Sequence, residues 1–208
     1  MKDKIILNVY HQLDKKLLQD LIIKFINDCD EINVFLNEKK NFFYDFLFHE
    51  KINVLFTDGR FKENTVFGKI DSSNGFFLIL DEKMNYPINY VKYMVDRCKE
   101  YSKERVITIE GQIKSDGITK KILKSDLNKK NLICNLCNIY VTCFHTDLLE
   151  ISFSNFNKNE SVNSNFEKYC QEKEKKILCI THPKNFVTNK ILNNEDLLKK
   201  KLNKVLKN

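Results

Sequence analysis

The stretch Gly75-Phe76-Phe77-Leu78-Ile79-Leu80-Asp81-Glu82-Lys83-Met84-Asn85-Tyr86-Pro87 constrains the fold more than any other part of the chain. Phe76 to Leu80 are apolar without a break. A short unbroken apolar run reads as a strand buried on both faces, as in a parallel sheet covered by helices. The run ends in charge, at Asp81, Glu82 and Lys83. Pro87 then stands where a helix is expected to begin, at the first helical position, where its missing N–H costs nothing. Beyond it Ile88, Val91, Met94, Val95, Cys98 and Tyr101 fall close to helical spacing. A buried strand therefore delivers charged side chains to its carboxyl end, just ahead of a helix. In open α/β sheets, ligands bind at that edge.

The flanking sequence supplies the neighbours such a strand needs. Lys4 to Tyr10 reads as a first strand. Asp14 is a helix cap, and Leu17, Leu18, Leu21, Ile22, Phe25 and Ile26 mark the buried face of the helix behind it. Ile32 to Leu36 reads as a second strand, so the chain opens β-α-β, the mark of a parallel sheet with a right-handed crossover. Phe42 to Phe48 is aromatic-rich and predicts a short helix or loop packed on the sheet, and Lys51 to Phe56 a third strand. Arg60 to Ser73 has no clear periodicity. Arg105 to Ile113 reads as a strand, Lys114 to Lys130 as a polar loop, and Leu132 to Phe144 as an apolar segment containing a strand. Ser152 to Ser164 reads as a loop, Asn165 to Lys175 as a polar helix and Ile177 to Thr181 as a last short strand. The expectation is a single α/β domain over residues 1–190, with a mostly parallel central sheet and helices on both faces. A basic amphipathic helix is expected at 191–208, with Leu197, Leu198, Leu202 and Val205 on its apolar side.

The 208 residues suffice for one substantial core. The formal charge of +7 suits a nucleotide, a nucleic acid or an anionic membrane surface. Nucleic-acid binding asks for aromatics placed for stacking beside the basic groups, and here the aromatics sit in apolar strands, so no nucleic acid is expected. Lys199, Lys200, Lys201, Lys204 and Lys207 read as a solvated helix face, with peripheral contact to the inner membrane surface as the alternative. Ile5 to Tyr10 is too short for a secretory apolar region, and nothing approaches membrane-spanning length. A cytoplasmic protein is expected, its seven cysteines reduced. Cys134 and Cys137 form a zinc-like half-site, but Cys143 and His145 are too close together to complete it, and the run reads better as strand. His145 and His182 are candidate bases, each with the commoner reading of a structural histidine.

The central stretch resembles the acidic signature of family-2-like bacterial glycosyltransferases of the surface-polysaccharide type. There a strand ends in three aspartates, followed by two apolar residues and Tyr-Pro. Here the acidic positions read Asp81-Glu82-Lys83, with Tyr86-Pro87 at the matching distance. The opening is similar too, since the family's Asp-Glu-Ile-x-Val-x-Leu-Asn matches Asp30 to Asn37. The resemblance implies a nucleotide-diphospho-sugar transferase fold and transfer of a sugar from a nucleotide-sugar donor to a glycan acceptor. It implies that Asp81, Glu82, Lys83, Lys69 and Tyr10 face the nucleotide, with Asp81 the position left for a metal.

In the family, Mg2+ or Mn2+ neutralises the departing diphosphate. The position tied most directly to the metal is Lys83 here, and a lysine sets a fixed positive charge there instead. Cys137-Asn138-Ile139-Tyr140 stands where the family has Leu-Gly-Thr-Gly, without the glycines. Asn163 stands at the family's candidate general base, and an amide does not take up a proton as a carboxylate does. Two readings follow: a glycosyltransferase, or a degenerate, non-catalytic relative that serves as a binding or scaffold module. No serine or cysteine nucleophile with an identified base supports a hydrolase.

Overall fold

The computed structural model describes residues 2–12, 14–37, 44–57, 62–68, 70, 74–115, 118–122, 131–149 and 156–190. Its strands are β1 (Lys4–Tyr10), β2 (Glu31–Asn37), β3 (Ile52–Thr57), β4 (Gly75–Leu80), β5 (Met84–Asn85), β6 (Val106–Thr108), β7 (Gly111–Ser115), β8 (Ile118–Ile122), β9 (Leu132–Cys134), β10 (Leu136–Cys137), β11 (Thr142–His145), β12 (Ile177–Cys179) and β13 (Thr188–Asn189). Its helices are α1 (Lys15–Phe25), α2 (Tyr90–Glu100) and α3 (Val162–Glu172). Short 3₁₀ segments occupy Asp45–Leu47, Lys62–Phe67, Ile139–Val141 and Thr146–Leu148.

The main sheet has eight strands in the order β3-β2-β1-β4-β11-β6-β12-β9. Only β11 and β9 run against their neighbours. Strand β4 is buried at every position, between β1 and β11. Neither its faces nor its edges meet water, which is why its apolar run has no polar alternation. Leu7, Val9, Leu78 and Leu80 share one core with Leu18 and Phe25 of α1 and Met94 of α2. Ile6, Phe77 and Ile79 share the other with Phe166 and Tyr169 of α3. The helices thus cover both faces, as the sequence leads one to expect. Val9 pairs with Leu80, so Asp81 follows at the same edge as Tyr10.

Several boundaries differ from the sequence reading. Helix α2 begins at Tyr90, and Pro87 precedes it, its carbonyl accepting from Tyr90 N at 3.0 Å. Ile88 is consequently 77% exposed, and Tyr90 takes the buried place instead. The strand expected over 105–113 is two strands in two sheets. β6 stops at Thr108, and β7 pairs with β8 and β10 in a small separate sheet. The β7–β8 hairpin corrects the polar loop expected from Lys114; its strands carry too few apolar residues to register as sheet. Helix α3 starts at Val162, ahead of the expected Asn165, because Ser161 caps it by accepting from Ser164 N. Residues 116, 117 and 123–130 of the expected loop and the expected helix at 191–208 lie outside the described residues.

A ladder of asparagines crosses β1, β2 and β3. Asn8 stands opposite Asn33, and Asn33 opposite Asn53. Asn33 Nδ2 donates to Asn8 Oδ1 at 2.9 Å, and Asn53 Nδ2 donates to Asn33 Oδ1 at 3.0 Å. In-register parallel strands let each amide accept from one neighbour and donate to the next. The ladder ends on the turn Lys62–Phe67, where Asn8 Nδ2 donates to Val66 O. Asn8 and Asn33 are fully buried, and this chain of bonds satisfies them.

Gly75 opens β4 at φ +154°, a conformation L side chains rarely adopt. An added Cβ would lie 2.1 Å from the carbonyl oxygen of Lys4. Gly75→Ala is expected to lower unfolding free energy by at least about 2 kcal/mol, from backbone strain plus displacement of β1. Urea unfolding of the two proteins measures it.

Candidate functional site

Strands β1 and β4 lie side by side, and the chain leaves them in opposite directions across the sheet, to β2 and to β6. This is a topological switch point, where an open α/β sheet leaves a crevice at its carboxyl edge. Tyr10, His11 and Gln12 arrive there from β1, and Asp81, Glu82 and Lys83 from β4.

Glu82 turns inward and is 1% exposed. Its Oε2 lies 2.8 Å from His11 Nδ1, and its Oε1 accepts from Gln12 N at 2.8 Å. Tyr44 meets the His11 ring edge-on. The carboxylate thereby ties the end of β1 to the end of β4. Both Glu82 oxygens are directed to protein groups, and the acidic residues described beside it at the strand ends include Asp81 and, from another part of the chain, Glu63.

Asp81 is partly buried. Its Oδ1 accepts from Lys83 N at 2.8 Å, and its own N donates to Tyr86 Oη at 2.9 Å. Tyr86 Oη donates in turn to Tyr140 O. Lys83 Nζ stands 3.4 Å from Gln12 Oε1. On its other side Gln12 donates through Nε2 to Glu63 Oε1 at 2.7 Å. Glu63 Oε2 accepts from Tyr140 Oη at 3.0 Å. Burial, reinforced by the charge of Glu63, pushes the Tyr140 phenol well above its ordinary range. Lys83, Gln12, Glu63 and Tyr140 therefore form one polar row along the crevice.

Beside this row lies a cavity of about 460 Å³. Tyr10, Gln12, Glu63 and Asn64 form one wall, and Lys158 to Val162, the approach to α3, form the other. Buried asparagines hold the walls together. Asn165 Nδ2 donates to Asn64 Oδ1 at 3.0 Å, and Asn64 Nδ2 donates to Glu160 O at 3.1 Å. Nothing in the sequence around Glu63 marks it out, because bonds between residues far apart in sequence, Asn8 to Val66 and Asn64 to Glu160 among them, carry its turn over the sheet.

The other sequence candidates fall elsewhere. Asn163 Oδ1 accepts from Ile139 N at 2.9 Å, and its side chain lines a second cavity, of about 250 Å³, with Glu110, Asn138 and Glu167. Lys69 lies outside the described residues. His145 pairs in register with Phe76, at the amino end of β4, between Asp3 and Asp147. It is fully buried and at the opposite edge from the crevice, which corrects its reading as a candidate base there. His182 is also buried, its Nδ1 2.9 Å from Pro183 O.

The seven cysteines are free and buried. Cys143 belongs to one core, Cys134 and Cys137 to the other, so the sheet separates the zinc-like set. Burial pushes the Cys134 and Cys170 thiols up to about 12. Among the described residues no group of three metal-ligating side chains is assembled, and no helix is long and apolar enough to cross a membrane.

No family model matches the chain, and no curated protein matches it in sequence. Solved structures do match. A nucleotidyl transferase from Methanothermobacter aligns with a TM-score of 0.51 at 10% identity, over 98% of this chain and 99% of that one. The 2-C-methyl-D-erythritol 4-phosphate cytidylyltransferase of Francisella tularensis aligns with a TM-score of 0.51 at 15% identity, over 95% and 98%. The chain shares the α/β fold of these two transferases. At such identities the likeness speaks for the fold alone.

Two substitutions test the geometry. Glu82→Ala strands the groups its carboxylate holds and is expected to cost roughly 3–5 kcal/mol of stability in denaturant unfolding. Asp81→Asn should act in the opposite direction. Burial, the main cause, raises the Asp81 carboxyl above its ordinary value. The unfolded chain then gives up this proton more readily than the native one, so ionised Asp81 opposes folding at neutral pH. Asp81→Asn should raise the melting temperature at pH 7. The gain should shrink as pH falls through the raised value and the native carboxyl takes up its proton.

Proposed function

We propose that this chain binds a nucleotide sugar at the carboxyl edge of β1 and β4 and transfers the sugar to a hydroxyl of a glycan of the surface-polysaccharide type. The observation that carries the reading is the meeting of Asp81, Lys83, Gln12 and Tyr10 at the switch point, beside a cavity of about 460 Å³. Ligand crevices of open α/β sheets lie at such points. In this reading Tyr10 and Asp81 face the nucleoside, and Lys83 faces the diphosphate. The basic sequence at 199–207 suits an anionic inner membrane surface, in keeping with an acceptor held there.

Lys83 also determines the role of metal. Its ammonium occupies the place of a divalent ion's ligand, and two positive charges ~4 Å apart repel by roughly 4 kcal/mol at an intermediate effective dielectric. Binding of the donor is therefore expected to depend little on Mg2+ or Mn2+. Calorimetric titration with UDP-hexoses, with Mn2+ and with chelator, measures this. Affinity should agree within about 3-fold in the two conditions, a difference of well under 1.4 kcal/mol. Lys83→Asp should bind better with Mn2+ than with chelator. Strong Mn2+ dependence of the unaltered protein contradicts the assignment of Lys83.

A non-catalytic sugar-nucleotide binder is the second reading. It is favoured by the Asn163 carbonyl, which caps Ile139 N and has no basicity to offer. Binding of a UDP-hexose without release of UDP, in the presence of sugar acceptors, would select it.

A further inference from the structure

A sugar transfer at this crevice needs a group to take the proton of the acceptor hydroxyl. Asn163 has no basicity, and Glu82 is enclosed by His11 and Gln12. The cavity beside the crevice holds two carboxylates, Glu63 and Glu160. Glu160 is engaged through Oε1 by Lys168 Nζ at 2.5 Å and by Asn157 Nδ2 at 3.2 Å, and its Oε2 is buried from solvent. Glu63 differs. Its only described partners are neutral donors, Gln12 Nε2 and Tyr140 Oη. Its charge is felt by Asp81, by Tyr10 and by Tyr140. Across the single amide of Gln12 stands Lys83.

We propose that Glu63 is the general base of the transfer, and that the cavity it lines takes a polyhydroxylated acceptor. The inference rests on the donor-binding reading above. Lys83 and Glu63 flank Gln12, one positive and one negative, in the order an in-line displacement requires: diphosphate, anomeric carbon, acceptor oxygen. Glu63 accepts the proton of the acceptor O–H, and the oxygen's electron pair forms the new bond to the anomeric carbon. The bond from that carbon to the phosphate oxygen breaks, and its electron pair leaves with the nucleoside diphosphate, whose charge meets Lys83. Glu63 afterwards returns its proton to water. Gln12 and Tyr140 each occupy one carboxylate oxygen and so fix its direction. A carboxylate oxygen has more than one lone pair, so acceptance from the substrate remains open.

The experiment measures UDP release from a panel of UDP-hexoses, with a mixture of free monosaccharides as acceptors, alongside calorimetric binding of the same donors. Glu63→Gln keeps the size and the contact with Tyr140 but removes the basicity. The expected result is a loss of about 100-fold or more in kcat, with donor affinity held within about 3-fold. The activity of the unaltered protein should fall on acidification, and that fall should be absent from the residual activity of Glu63→Gln. Glu63→Asp should recover part of the loss. Turnover by Glu63→Gln within a few-fold of the unaltered protein overturns the role of Glu63 and leaves the donor site standing. Binding without turnover by the unaltered protein also overturns it alone. Failure of every UDP-hexose to bind overturns the donor reading and this inference together.

Discussion

One carboxylate, that of Glu82, sets the geometry on which the crevice depends. It is almost without exposure, and it joins the segments just beyond β1 and β4 through His11 and the backbone of Gln12. A carboxyl group buried in that position is tolerable only when hydrogen-bond partners satisfy it. Its reward is positional. With Gln12 N fixed, the Gln12 side chain is held between Lys83 and Glu63, and both charged groups inherit a defined place.

A second set of constraints comes from asparagine. Asn8, Asn33 and Asn53 transmit the register of the parallel strands to the turn Lys62–Phe67. Asn64 and Asn165 then tie that turn to the start of α3. The 3₁₀ segment carrying Glu63 is located by these bonds. The cavity is thus walled by two segments that the sheet and α3 hold in place. Rigid support of this kind is what a reacting carboxylate needs, since loss of alignment by about an ångström is enough to cost much of the rate.

The fold was legible in the sequence where burial leaves a one-dimensional trace. Phe76 to Leu80 read as a fully enclosed strand, and Asp14 with the apolar face behind it read as a helix start, and both stand so in the structure. Asp81 followed at the expected edge. The site was legible only in part, for a physical reason. An unbroken apolar strand has no alternation from which to tell faces apart, so the inward turn of Glu82 and the partial exposure of Asp81 leave no mark. The asparagine ladder depends on register between strands far apart in sequence. Glu63 depends on the ladder in turn, and the segment around it has no periodicity. The β7–β8 hairpin escaped for a related reason, since its sequence is too polar for a core strand.

The proposed nucleotide site is the joined ends of β1 and β4, and amide hydrogen exchange with and without a UDP-hexose tests that location most directly. Bound donor should slow exchange in Tyr10 to Gln12 and Asp81 to Tyr86, and leave the groove lined by Phe48, Ile52 and Phe56 unchanged. Protection confined to that groove, or binding with no protection at the strand ends, would contradict it.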